Sequence, residues 1–405
     1  MKTPSLLSLA LLLGCSTKDD SPVGEPVDTG TSPVVDTGPV VDTGPVVDTG
    51  PVEGSGADTG SPDDSHSDDE SGADTDTETA GDSGADTGAA TDTGEPVSDL
   101  ERCFGAFFGE ASATIPDYSP YGATLNSSCY GTNHQDIADV QRVVFVGDSI
   151  TVGTPPTDPS DFYRVRLADD FVDRWGLEAP SWDWEWYDVV NGTSITSISG
   201  DFCSTAKWGA RTDDLLEDND QILDCFPVED WDKSTLVVMT MGGNDIFSLV
   251  QDYGEGASAE ALWESVYSFT AKQREAVEYL KNPDNWGAPV YVVFANNYEF
   301  TDGTGDVEDC PGAELAGLSG VMDRDDFKEM FAWTQEEYMS IAVDNSADMF
   351  FLMEEFCGHG YSRGEVDALC DRGDDAELYF DLTCIHPNSA GHAHIAEMVE
   401  SIVDE

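Results

Sequence analysis

Ser149, His386, Asn244 and Gly209 are the residues of this 405-residue chain whose types and surroundings can do chemistry together. Ser149 follows Val143-Val144-Phe145-Val146-Gly147-Asp148, an apolar run and then a turn. Such a run reads as a strand buried on both faces, and in an open α/β sheet ligands bind at the carboxyl ends of strands. A serine hydroxyl placed there is a nucleophile only if one group takes its proton and others hold the oxyanion that its attack creates. His386, in Asp381-Leu382-Thr383-Cys384-Ile385-His386-Pro387-Asn388, is the candidate base, because imidazole titrates close to working pH. His392 and His394 compete for that role, but they fall inside the last predicted helix, where packing or surface placement accounts for them. Asn244, in Met241-Gly242-Gly243-Asn244-Asp245, offers a neutral amide donor after a second apolar strand. Gly209 offers a backbone N–H just before a predicted helix, where glycine lets an anion approach closely.

The elements that must position these groups alternate. Apolar runs predict strands over 143–146, 235–241, 289–295 and 349–353, with a further candidate over 184–190. Helical spacing predicts helices over 162–175, 211–223, 258–280, 325–343 and 389–403. Strands alternating with helices of this length imply a parallel, doubly wound sheet with right-handed connections and helices on both faces.

The chain ahead of this pattern is of a different kind. Met1-Lys2, the apolar Leu6 to Leu13 and then Gly14-Cys15-Ser16 read as a secretory signal, too short to span a bilayer. Leu12-Leu13-Gly14-Cys15 resembles the bacterial lipobox, which implies lipidation of Cys15 and a place in the cell envelope, at the outer membrane or cell surface. Residues 16–98 are Asp, Thr, Gly, Ser, Pro and Val with a repeated Val-Val-Asp-Thr-Gly-Pro, and such a composition predicts a disordered acidic tether. The recurrent Asp-Thr-Gly is also the local motif of aspartic proteases, but in a repeat tract it lacks the rigid dyad that chemistry needs. Residues 99–405 are left as one domain.

Net charge is −65 over the whole chain, and from Asp99 onward 61 acidic residues stand against 15 basic ones. A surface of that sign repels nucleic acid and anionic membranes. Membrane association is therefore expected only through the lipid anchor, and the domain is expected to be a monomer. Setting Cys15 aside, eight cysteines remain, an even number that implies disulfides in an exported chain. Proximity in sequence pairs Cys103 with Cys129, Cys203 with Cys225, Cys310 with Cys357 and Cys370 with Cys384; a cysteine metal site is disfavoured because no CxxC pair occurs.

Taken in order, Gly147-Asp148-Ser149-Ile150, Gly209, Gly242-Gly243-Asn244-Asp245 and His386-Pro387-Asn388 with Gly391-His392 resemble the four sequence blocks of the SGNH/GDSL hydrolases. The resemblance runs from about Arg142 to the C-terminus. It implies a flavodoxin-like three-layer α/β/α sandwich, here disulfide-stabilised. It further implies Ser149 as nucleophile, His386 as base, and Gly209, Asn244 and the Ser149 N–H as oxyanion donors, with no metal or organic cofactor. One position departs from the pattern: where the family places Asp three residues before the histidine, this chain has Thr383. Either Asp381 reaches the His386 ring through an enlarged loop, or a backbone carbonyl orients the ring and leaves a Ser-His dyad. A second departure is an insertion over 296–321, whose Asp302, Asp306 and Glu308 are candidate calcium ligands outside the twelve-residue calcium-loop pattern.

The expected activity is hydrolysis of a carboxylic ester, on an acylated small molecule, a lipid or an acetylated polysaccharide, through an acyl-serine. The alternative is a catalytically silent module that binds a glycan or lipid on the same fold, and Thr383 is its best support.

Overall fold

The computed structural model describes residues 97–105, 115–217, 219–304, 310, 312, 324–364, 369, 372–373 and 375–405. The expected leader, lipobox and nearly all of the tether lie outside the described residues, as do Asp306, Glu308 and Cys370. Strands β1 (Arg142–Gly147), β2 (Ile198–Ser199), β3 (Phe202–Ser204), β4 (Thr235–Thr240), β5 (Val290–Ala295) and β6 (Asp348–Phe350) form one sheet in the order β2-β3-β1-β4-β5-β6. All pairings are parallel except that of the edge strand β2 with β3. Without that edge the order of the parallel strands is the flavodoxin-like one, and its switch point lies between β1 and β4.

The principal helices are α1 (Ser149–Val152), α2 (Tyr163–Trp175), α3 (Gly243–Gly254), α4 (Ala259–Lys281), α5 (Arg324–Asn345) and α6 (Ser389–Val403). Side chains of a strand alternate between faces, and β1 divides accordingly. Val144 and Val146 pack with Ala276, Val277 and Leu280 of α4 and with Tyr338, Met339 and Ala342 of α5. Val143 and Phe145 pack with Leu167 and Phe171 of α2 and with Ile395, Met398 and Val399 of α6. Burial on both faces is why β1 and β4 read as unbroken apolar runs. A smaller cluster joins Leu249 of α3 to Leu262 and Val266 of α4 and Met330 of α5.

Several elements differ from their predicted form. Residues 184–190 are not a strand of the sheet: Trp182–Glu185 is a helical turn, and Tyr187–Asp188 pairs with Thr193–Ser194 in a separate hairpin. Trp184 is fully buried against Phe145, with the Arg164 guanidinium 4.6 Å over its ring, so its apolar character serves the core. The helix predicted over 211–223 is a 3-10 turn (Thr212–Leu215) and a separate short helix (Gln221–Cys225). Local side chains claim the backbone there, with the Asp214 carboxylate accepting from the Arg211 N–H at 2.9 Å. The short β3 and the helix α3 escaped prediction.

Disulfides join Cys103 to Cys129 and Cys203 to Cys225 as predicted from proximity. Cys310, however, pairs with Cys384, which overturns both remaining pairs. Cys357 is also disulfide-bonded. The stretch that follows Cys129 lies along β6, where Gly131 bridges Phe350, the Thr132 N–H donates to the Met349 carbonyl at 2.9 Å, and buried Asp348 accepts from Thr132, His134 and Gln135. No helix among the described residues is long and apolar enough to cross a membrane.

Candidate active site

The turn that presents Ser149 is set by the end of β1. Gly147 has φ of +148°, and a Cβ there would come within 2.3 Å of the Thr240 carbonyl oxygen, so only glycine lets β1 and β4 approach this closely. The Gln221 side chain grips the same residue from the other side. Its oxygen accepts from the Gly147 N–H at 2.8 Å and its amide donates to the Gly147 carbonyl at 3.0 Å, both bonds buried. Asp148 caps α1 by accepting from the Ile150 N–H at 2.9 Å and from the Thr240 hydroxyl at 3.3 Å. Burial pushes its carboxyl up to about 7. As the first residue of α1, Ser149 has a backbone N–H with no intrahelical acceptor.

The two other candidate oxyanion donors sit on a loop, Gly209, and in the first turn of α3, Asn244. Gly209 has φ of +76°, a left-handed turn that suits glycine. The loop around it is laced to the end of β1 and to the end of α1: the Lys207 N–H donates to the Gly147 carbonyl at 3.1 Å, and the Trp208 indole N–H to the Gly153 carbonyl at 3.0 Å. Asn244 donates one amide hydrogen to the Ala210 carbonyl at 2.9 Å. The neighbouring Asp245 accepts from the Thr212 N–H at 3.0 Å and from the Thr212 hydroxyl at 3.2 Å, and burial raises its carboxyl to about 7. Ser149, Asn244 and His386 line one cavity, to which Gly209 is tied through Ala210 rather than by lining it.

His386 Nε2 lies 2.9 Å from Ser149 Oγ. Both side chains are buried, and burial pulls the His386 imidazole down to about 4, so it is neutral and able to accept a proton. Its other nitrogen, Nδ1, is 3.0 Å from the Thr383 hydroxyl, which in turn lies 2.5 Å from Asp381 Oδ1. Neither predicted arrangement is present among the described residues: no Asp381 carboxylate oxygen bonds the ring directly, and no backbone carbonyl does so in its place. Instead, Thr383, which the sequence pattern marks as a gap, is itself the ring's partner. The Thr383 N–H also donates to Asp381 Oδ1 at 2.7 Å, while Asp381 Oδ2 is buried without a hydrogen-bond partner. Burial raises the Asp381 carboxyl to about 6, against the lowering effect of the two bonds from Thr383.

The loop carrying these groups is tightly closed. The Asp381 N–H donates to the His386 carbonyl at 2.8 Å and the Cys384 N–H to the Asp381 carbonyl at 3.0 Å, with Cys384 at φ of +67°. The Tyr298 hydroxyl holds the Ile385 carbonyl, and the disulfide to Cys310 anchors the residue beside Thr383. Asn388 caps α6 and donates back to the Leu378 and Phe380 carbonyls. His392 is fully buried between α6 and α2, its Nδ1 accepting from the Tyr163 N–H, and His394 is paired with Glu355 and Glu397; neither lines the cavity.

The cavity, about 150 Å³, is walled by Ile246, Phe247 and Val250 of α3, by Phe300, and by Phe327 and Phe331 of α5. Sequence reasoning missed this wall, although Ile246, Val250 and Tyr253 stand at helical spacing after Asn244. It also missed Gln221 and Thr240, polar residues with no signal until β1 and β4 are paired. Asp302 is buried and accepts from the Gly358 and Gly360 N–H groups, and the described residues hold no cluster of potential metal ligands.

No protein-family model matches the sequence, and no curated protein matches it. Among solved structures the chain is similar to phospholipase A1 from Streptomyces albidoflavus NA297, at 16% identity over 65% of this chain and 99% of that one, with a TM-score of 0.39. It is likewise similar to an extracellular lipase from Streptomyces rimosus, at 16% identity over 65% and 100%, TM-score 0.39. A third is Axe2, an acetylxylan esterase from Geobacillus stearothermophilus, at 13% identity over 66% and 96%, TM-score 0.35.

Proposed function

We propose that this chain is a serine ester hydrolase of the SGNH/GDSL type. The observation that carries the reading is the 2.9 Å contact between His386 Nε2 and Ser149 Oγ at the switch point of a flavodoxin-like sheet, on the wall of an apolar cavity. As Oγ attacks the ester carbonyl carbon, its proton passes to Nε2 and the carbonyl oxygen becomes an oxyanion. The Ser149 N–H and the second amide hydrogen of Asn244 are the donors on the cavity wall that stabilise it, each worth about 3–4 kcal/mol by the cost of deleting such a donor, and the resemblance adds the Gly209 N–H behind them. The bond to the leaving alcohol then breaks, Nε2 returns the proton to that alcohol, and water repeats the sequence to release the acid.

The aliphatic and aromatic wall favours an acyl chain longer than acetyl. Export, lipidation at Cys15 and an envelope location belong to this reading on the strength of the N-terminal sequence. The test is turnover of a p-nitrophenyl ester series from acetate upward. Wild type should cleave it, with kcat/KM rising beyond acetate, and Ser149→Ala should reduce kcat by about 10⁴ or more. Equal inertness of wild type and Ser149→Ala across the series would leave the silent binding module as the better account.

A further inference from the structure

Thr383 occupies the place between base and carboxylate, and with Asp381 ionised and His386 neutral the hydrogens of that chain have only one consistent arrangement. An ionised carboxylate accepts only, so the short Thr383–Asp381 contact requires the Thr383 hydrogen to point at Asp381. At 2.5 Å this contact lies in the range of a hydroxyl bound to a carboxylate. The Thr383 oxygen then has only lone pairs left for His386 Nδ1, so Nδ1 carries the hydrogen. Nε2 is thereby left bare to accept from Ser149.

We propose that Thr383 is a positioning residue through which Asp381 selects the reactive tautomer of His386, making a four-membered Asp381–Thr383–His386–Ser149 chain. The proposal deepens the hydrolase reading and rests on it for its kinetic part. When Asp381 is protonated the constraint is lifted: the Thr383 hydroxyl can donate to Nδ1, and the ring can then place its hydrogen on Nε2, facing Ser149. Asp381 titrates near 6 because it is buried, well above the range in which His386 itself gains a proton. Among the described residues, the ionisable groups that face Asp381 are His386, across the hydroxyl, and Tyr361, whose phenol donates to the Asp381 carbonyl at 2.9 Å. Tyr361 is neutral throughout, its phenol pushed up by burial and by the carboxylate. The structure thus assigns the acid limb of activity to Asp381.

The test uses the full chain with Thr383→Val, which keeps the shape and removes the hydroxyl, Thr383→Ser, which restores it, Asp381→Asn, and the Thr383→Val/Asp381→Asn double variant. Thr383→Val should lower kcat about 10- to 100-fold with KM nearly unchanged, Thr383→Ser should recover most of that loss, and the double variant should be no worse than Thr383→Val. The acid limb near pH 6 should vanish in Thr383→Val and Asp381→Asn. Independently of turnover, histidine side-chain ¹⁵N spectra at pH 8 should show His386, identified by its absence in His386→Gln, protonated on Nδ1 in wild type and redistributed toward Nε2 in Thr383→Val. Should Thr383→Val fail to fold, Asp381→Asn carries the test through the loss of the acid limb and the shift of the His386 tautomer, and an Asp381→Asn protein with wild-type acid limb and tautomer overturns the assignment. Wild-type kcat and acid limb in Thr383→Val, losses that multiply in the double variant, or an Nε2–H tautomer in wild type would each overturn the assignment. If wild type is inert on every ester yet shows the Nδ1–H tautomer that Thr383→Val disturbs, the hydrolase reading fails and the positioning role stands.

Discussion

At the scale of single residues, Asp381 combines a use with a cost. Its carboxyl is buried, with one oxygen unpartnered, and its folded value of about 6 lies above the ordinary 3.8. A group raised in this way favours the folded state fully only below its unfolded value, and that advantage is lost as pH rises through the folded value. Ionised Asp381 therefore destabilises the fold at pH 8. Asp381→Asn should raise unfolding free energy there by about 1–2 kcal/mol while lowering kcat, and the gain should shrink at pH 5. Urea titrations at the two pH values decide it; equal stability of the two proteins at both would show that the carboxyl is not strained. Ser149 and Asn244 were legible because each sits in a short block at a strand end, and His386 because its block leads into the last helix. The role of Thr383 was not: a hydroxyl interposed between two residues of one loop has no periodicity, and only the loop's closure brings it under the ring.

Among the elements, the loop 381–386 depends on a cross-link that spans 74 residues, Cys310–Cys384, and that proximity in sequence could not reveal. Removing it by Cys310→Ser/Cys384→Ser frees the residue next to Thr383 and should lower kcat about 10-fold, since small misplacements of a base are costly. Cys103→Ser/Cys129→Ser, remote from the catalytic loop in sequence, should leave kcat unchanged. Kinetics of the two pairs side by side make the comparison, and equal rates would mean that backbone bonds alone hold the loop. The elements themselves were legible in proportion to their burial. The strands β1, β4 and β5 and the helices α2, α4, α5 and α6 carry patterns long enough to read. By contrast β3 is three residues long, and 211–223 is broken by Asp214 capping the Arg211 N–H and by Gln221 bonding the distant Gly147 backbone, the second of which no local propensity records.

For the molecule as a whole, 61 acidic against 15 basic residues from Asp99 onward dominate the surface. Such an excess repels itself most in the compact state, and salt screens it over about 10 Å at 0.1 M. The melting temperature should therefore rise by several degrees between about 0.02 M and 0.5 M NaCl, as read by calorimetry; a flat or falling trend would show that paired charges outweigh the excess. The segment bearing Gly131 and Thr132, which occupies the free side of β6, acts against a different hazard. A parallel sheet normally ends in a row of unused backbone donors and acceptors on which any passing extended chain can template itself. Here one margin is occupied by that segment and the other ends in the two-residue antiparallel β2. At both ends the sheet therefore offers little backbone on which cross-chain fibril growth could begin.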